Sequence, residues 1–170
     1  MKKTIVLVGM MGCGKTFIGK KLARNLGMDF IDGDDEIVKR LGVPITEIFE
    51  AKGEAYFRNV EYETTRDILS GEPVVLAVGG GAFVQEKTRR EIQKNGISIW
   101  LKSDIEIILK RLKYDKSRPL LQTGDKRQKL LDLMEKRDPL YALADITITS
   151  DNNKAQPIID EMIEKLKKYM

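Results

Sequence analysis

The sequence predicts an α/β fold: three layers, with a five-stranded parallel sheet between helices. Three observations carry that prediction. Short apolar runs rich in Val and Ile alternate with longer stretches of helical period, the pattern of a parallel sheet covered on both faces. A glycine-rich loop joins the first apolar run directly to the first helical stretch. No internal repeat or low-complexity linker interrupts the 170 residues, a length suited to one domain with its own core.

Each element follows from the local pattern. Thr4 to Val8 reads as a buried strand. Gly14 to Leu26 reads as a helix, with Ile18, Leu22, Ala23 and Leu26 on one face and Gly27 as its stop. Met28 to Ile31 is a second strand. Helical segments follow around Asp34 to Leu41, Ile45 to Ala51 and Glu54 to Leu69. Val74 to Val78 is a third strand and runs into Gly79-Gly80-Gly81. A helix over Lys87 to Lys94 leads to a strand at Ile97 to Leu101. Ser103-x-x-Glu106 has the form of a capping box for the next helix. Asp115 to Gly124 is polar and irregular. A helix over Lys126 to Glu135 and a strand at Ile146 to Thr149 come next. Ala155, Ile158, Ile159, Met162, Ile163 and Leu166 mark the face of a last helix.

Composition narrows the function classes. Hydrophobic residues make up 42% and charged residues 33%, ordinary for a globular protein. No apolar run approaches the roughly 20 residues of a membrane span. Met1-Lys2-Lys3 leads straight into Ile5 to Val8, too short a run for a signal peptide, so a cytoplasmic location is expected. The single cysteine, Cys13, excludes an intramolecular disulfide, and the absence of histidine excludes His-based acid–base chemistry. The net charge of +4 suits an anionic ligand. Basic residues are interleaved with acids, with no basic tail, so neither nucleic acid nor membrane is expected as a partner. No apolar stripe suggests a subunit interface, so a monomer is expected.

Gly9-Met10-Met11-Gly12-Cys13-Gly14-Lys15-Thr16 matches G-x-x-x-x-G-K-[ST] throughout and lies between a strand and a helix. Such a loop turns backbone N–H groups and a helix N-terminus toward phosphate oxygens. Lys15 is placed to reach the β- and γ-phosphates of a nucleotide, and the Thr16 hydroxyl to ligate magnesium. The third strand ends in glycines, so the acid that helps hold magnesium must come from elsewhere. Asp32 and Asp34, past the second strand, are the natural source, because ligands of open α/β sheets gather at the carboxyl ends of strands. No guanine-reading Asn-Lys-x-Asp string is present.

Further strings follow in order: Phe30-Ile31-Asp32-Gly33-Asp34, then Ile48-Phe49-x-x-x-Gly53-Glu54-x-x-Phe57-Arg58-x-x-Glu61, Gly79-Gly80-Gly81, Arg111 seven residues ahead of Arg118-Pro119-Leu120-Leu121, and Arg137-Asp138-Pro139-Leu140-Tyr141. Together with the phosphate-binding loop they resemble the shikimate kinase family over almost the whole chain. The resemblance implies a P-loop kinase fold: a core of 1–32, 70–111 and 125–170, a helical substrate-binding insertion of about 33–69, and a lid of about 112–124. It implies transfer of the γ-phosphoryl group of ATP, with Mg2+, to the 3-hydroxyl of shikimate. Gly12, Cys13, Gly14, Lys15, Thr16, Phe17, Arg111 and Arg118 would then bind nucleotide. Thr16 and Asp32 would hold magnesium. Asp34, Phe49, Phe57, Arg58, Glu61, Gly79, Gly80, Gly81 and Arg137 would bind the acceptor. Lys15, Asp34 and Arg118 would be catalytic. Gly33 stands where common members carry a larger side chain, and a looser local backbone is expected there.

The residue types suit that ligand on their own terms. Arginine forks such as Arg58 and Arg137 grip a carboxylate bidentately. An aspartate such as Asp34 accepts from hydroxyls, and an ordinary pKa of about 3.9 makes it an orienting group more than a base. Each feature also has a plainer explanation: a Glu54–Arg58 ion pair at i,i+4, Phe49 and Phe57 as core, Gly79 to Gly81 as a turn, Arg137 and Tyr141 at a helix end. A gluconate kinase or nucleoside monophosphate kinase shares the loop and lid logic. A nonenzymatic nucleotide switch would need neither the aspartate pair nor the lid arginine.

Overall fold

The computed structural model of the chain describes residues 2–113, 124–151 and 154–170. Five parallel strands, β1 (Thr4–Val8), β2 (Asp29–Asp32), β3 (Val74–Ala77), β4 (Gly96–Lys102) and β5 (Ile146–Thr149), form one sheet in the order β2-β3-β1-β4-β5. The period of two sorts the central strand onto both faces. Val6 and Val8 enter one core, with Phe83, Ile92, Ile108, Leu130 and Tyr141. Ile5 and Leu7 enter the other, with Ile18, Leu22, Ile159 and Leu166.

Helices cover both faces. α1 (Lys15–Leu26) and α7 (Ala155–Leu166) pack on the Ile5 side. α4 (Glu86–Asn95), α5 (Ile105–Leu112) and α6 (Lys126–Tyr141) pack on the Val6 side. α1 has no side-chain cap. It is held by burial of Ile18 and Leu22, each contributing roughly 1.5–3 kcal/mol. α2 (Gly33–Leu41) and α3 (Ile45–Leu69) build a third, smaller core from Ile37, Ile48 and Phe57. α3 is two helical pieces, as its sequence suggests, broken at Gly53 (φ 82°, ψ 173°).

Three expectations change. The helix ending in Arg137-Asp138-Pro139-Leu140-Tyr141 runs to Tyr141, not Glu135, because buried Arg137 and Tyr141 hold its last turn despite Pro139. The residue that caps α5 is Asp104, whose carboxylate accepts from the Glu106 N–H at 2.8 Å. Ser103 instead donates to the Ser150 carbonyl at 2.8 Å and ties β4 to the end of β5. Gly33 does not loosen its surroundings. It is buried, begins α2, and sits so close to β3 that a side-chain carbon there would lie 3.1 Å from the Ala77 carbonyl.

Candidate active site

Register brings three segments together at the carboxyl ends of the strands. Asp32 pairs with Ala77, and Ala77 pairs with Leu7. The loop after β1, the glycines after β3 and the start of α2 therefore leave the sheet side by side.

The phosphate-binding loop comes first. Lys15 Nζ lies over it, donating to the Gly9 and Met10 carbonyls at 2.7 and 3.0 Å. Cys13 is buried beneath, its Sγ 3.8 Å from the same nitrogen. Arg111 reaches back from α5 and donates to the Gly12 carbonyl at 3.2 Å. A side-chain carbon at Gly14 would lie 3.2 Å from that guanidinium. Phe17, one residue past the loop, is 61% exposed, with Lys21 Nζ 5.1 Å from its ring centre.

Thr16 and Asp32 meet across the cleft. The Thr16 hydroxyl donates to Asp32 Oδ2 at 2.8 Å. Asp32 Oδ1 accepts from the Asp34 and Asp35 N–H groups at 3.0 and 3.2 Å and so caps α2. The cap fixes the carboxylate and delivers Asp34 to the first turn of the helix. Hydroxyl and carboxylate oxygens are the donors a hard cation such as magnesium takes, and such an ion keeps waters and phosphate oxygens for its remaining positions. Among the described residues no cluster of three or more acidic or cysteine ligands exists. A shared protein–phosphate site fits these residues better than an all-protein cage.

The glycine triplet is the meeting point of the remaining candidates. A side-chain carbon at Gly79 would sit 2.9 Å from Asp34 Oδ1 and 3.2 Å from Glu61 Oε2. One at Gly80 would sit 3.1 Å from Arg137 Nη1 and 3.4 Å from the Met11 backbone nitrogen. One at Gly81 would overlap the Arg58 guanidinium. Only glycine allows two arginines and the phosphate-binding loop to approach one backbone segment this closely. Arg58 is held by Glu61, with Nη1 to Oε1 at 2.8 Å, and by Glu54, with Nε to Oε1 at 3.5 Å. Arg137 is buried, and its Nη1 has no hydrogen-bond partner. Glu61 Oε2 is likewise buried and unpartnered. Desolvation pushes the Glu61 carboxyl up to about 7, against the downward pull of Arg58. A buried guanidinium nitrogen without a partner is costly and fits a ligand anion.

Phe57 is buried in the small core of α2 and α3, with Phe49 tilted against it at 4.7 Å between centroids. The Arg58 guanidinium lies 5.2 Å from the Phe57 ring centre. Arg118 lies outside the described residues, as does most of the stretch expected to form a lid. One contact escaped the sequence reading. The Tyr141 hydroxyl donates to the Gly80 carbonyl. The sequence signals it only through the Arg137-Asp138-Pro139-Leu140-Tyr141 string and the i,i+4 spacing from Arg137, neither of which points to Gly80.

A family model described as shikimate kinase matches residues 11–167. The shikimate kinase of Bartonella quintana (strain Toulouse) is 44% identical over 169 residues, 99% of this chain and 80% of that protein. The solved shikimate kinase from Acinetobacter baumannii in complex with shikimate superposes with a TM-score of 0.95 at 39% identity, covering 99% of this chain and 95% of that one. A gluconokinase from Sinorhizobium meliloti aligns with a TM-score of 0.66 at 16% identity, a likeness of fold alone.

Proposed function

The chain belongs to the shikimate kinase family, and on that premise we propose that it transfers the γ-phosphoryl group of ATP to the 3-hydroxyl of shikimate. The observation that carries the reading is the convergence of Arg58 and Arg137 on a glycine triplet that abuts the phosphate-binding loop. A carboxylate between the two forks satisfies the orphaned Arg137 nitrogen. It also fixes the ring, leaving a hydroxyl to face Asp34 and the nucleotide.

The residues divide the work by position. Backbone N–H groups of the loop and of the N-terminus of α1 receive the phosphates. Lys15, now bonded to loop carbonyls, exchanges them for β- and γ-phosphate oxygens. We assign Arg111 and Phe17, on family resemblance, to nucleotide binding, Arg111 at the adenine. Asp34 accepts the hydrogen bond of the acceptor hydroxyl and aims its oxygen at the γ-phosphorus. The new P–O bond forms as the bond to the β–γ bridging oxygen breaks, ADP leaves, and the hydroxyl proton departs toward Asp34. Thr16 and Asp32 would hold magnesium, which when bound offsets charge on the β- and γ-phosphoryl oxygens. We assign Arg118, on family resemblance, to the transferring group. Arg118→Ala is expected to lower kcat far more than it raises the Kd for shikimate, and a loss confined to binding contradicts that role.

ADP release from magnesium-ATP, measured against shikimate, gluconate and nucleoside monophosphates in turn, tests the substrate. Turnover is expected with shikimate alone. Faster turnover with gluconate overturns the reading.

A further inference from the structure

We propose that Tyr141 is a positioning residue: its hydroxyl ties the glycine triplet to the phosphate-binding loop and so sets the separation between acceptor and γ-phosphoryl group. The inference rests on the acceptor reading given above. Tyr141 is fully buried and ends α6. Its hydroxyl donates to the Gly80 carbonyl and lies 3.9 Å from Met10 Sδ. One side chain thus touches both halves of the site. Gly80 is itself wedged against the loop, with the Met11 nitrogen 3.4 Å and the Gly9 carbonyl 3.6 Å from where its side-chain carbon would be. The Trp100 ring supports the tyrosine ring, 5.9 Å between centroids.

The ring alone would be served by phenylalanine. The hydroxyl is what needs explaining, since a buried polar group is costly unless bonded. Its bond goes to a carbonyl whose peptide carries the Gly81 N–H, so holding the Gly80 oxygen fixes the direction in which that N–H points. Arg137 lies one turn earlier on the same helix face and presses on the same glycine. α6 therefore presents a cation to the acceptor and a hydroxyl to the backbone on which the acceptor rests. Burial holds the phenol well above its usual range, so it stays a donor at any working pH.

The test is Tyr141→Phe in the full chain. Expected is a fall of about 10-fold or more in kcat/KM for shikimate, which corresponds to about 1.4 kcal/mol. ADP affinity, followed by the fluorescence of the sole tryptophan, stays within about twofold. The share of ADP formed by water attack, without phosphorylated acceptor, rises. A merely structural tyrosine would lower Tm and leave these ratios alone. Kinetics within twofold of wild type, or ADP affinity falling in step with kcat/KM, overturns the proposal. Wild-type protein inert toward shikimate sinks the acceptor reading itself. Should Tyr141→Phe fail to fold, ζ-13C-tyrosine spectra of the wild type decide. The Tyr141 resonance must shift on saturation with shikimate, and an unmoved signal overturns the role.

Discussion

The chemistry of the site concentrates in a few buried charges, and Glu61 is the most exposed to test. Burial pushes its carboxyl from the usual 4.5 up to about 7, partly offset by Arg58 and Arg137 and reinforced by Asp34. The folded chain therefore keeps a proton that the unfolded chain has released between those values. The contribution of Glu61 to stability is full below about pH 4.5, declines up to about pH 7, and is flat above. The Tm of wild type minus that of Glu61→Gln should fall across this window, because other groups cancel in the difference. A difference independent of pH would show that Glu61 titrates normally. Arg137 offers a second test. Arg137→Lys keeps the charge but loses the fork. Expected is a loss of about 100-fold in kcat/KM for shikimate, about 3 kcal/mol, in line with hydrogen bonds to charged groups. ADP affinity should hold within about twofold, and equal losses for both ligands would refute a carboxylate-specific grip.

Among the elements, the two-piece α3 governs where Arg58 points. Its break at Gly53 has φ 82° and ψ 173°, a region populated essentially by glycine alone. Ile48 and Phe57, on either side of the break, bury into one small core with Ile37, so the bend is fixed from both sides. Gly53→Ala should cost roughly 1–3 kcal/mol in urea unfolding. It should raise KM for shikimate more than KM for ATP, because Arg58 follows the second piece. Unchanged stability would mean that the bend relaxes freely. α6 shows the converse: Pro139 signals a stop, yet the helix continues to Tyr141. A proline in the final turn removes one helical bond, and burial of Arg137 and Tyr141 offsets it. At α5, Ser103 and Asp104 both have capping side chains. The choice falls to Asp104 because the Ser103 hydroxyl is taken by the Ser150 carbonyl.

Over the whole molecule, the two large cores lie on the sheet and the third belongs to α2 and α3 alone. A core of three buried residues resists local opening less than one built on five strands. Amides of 45–60 should exchange with deuterium faster than those of β1 and β4. Shikimate should slow exchange in 34–61 and 79–82, and ADP in 9–16. Uniform protection across the chain would show one cooperative unit in place of two. Among the described residues no helix is long and apolar enough to cross a membrane.

The sequence by itself determined the five strands, their parallel order of layers and the phosphate-binding loop, because periodicity and a strand–loop–helix motif are local properties that neighbours in the chain enforce. It also named Thr16, Asp32, Asp34, Arg58, Glu61 and Arg137 as candidates, and hydrogen bonds to Asp32 at the end of β2 hold the first three beside one another. The tertiary structure alone decided that Gly79, Gly80 and Gly81 are the floor on which both arginines meet, that Ser103 abandons its cap, and that Tyr141 reaches Gly80 across 61 residues of chain. These contacts join segments far apart in sequence. Their energies depend on burial and close approach, which no local spacing encodes.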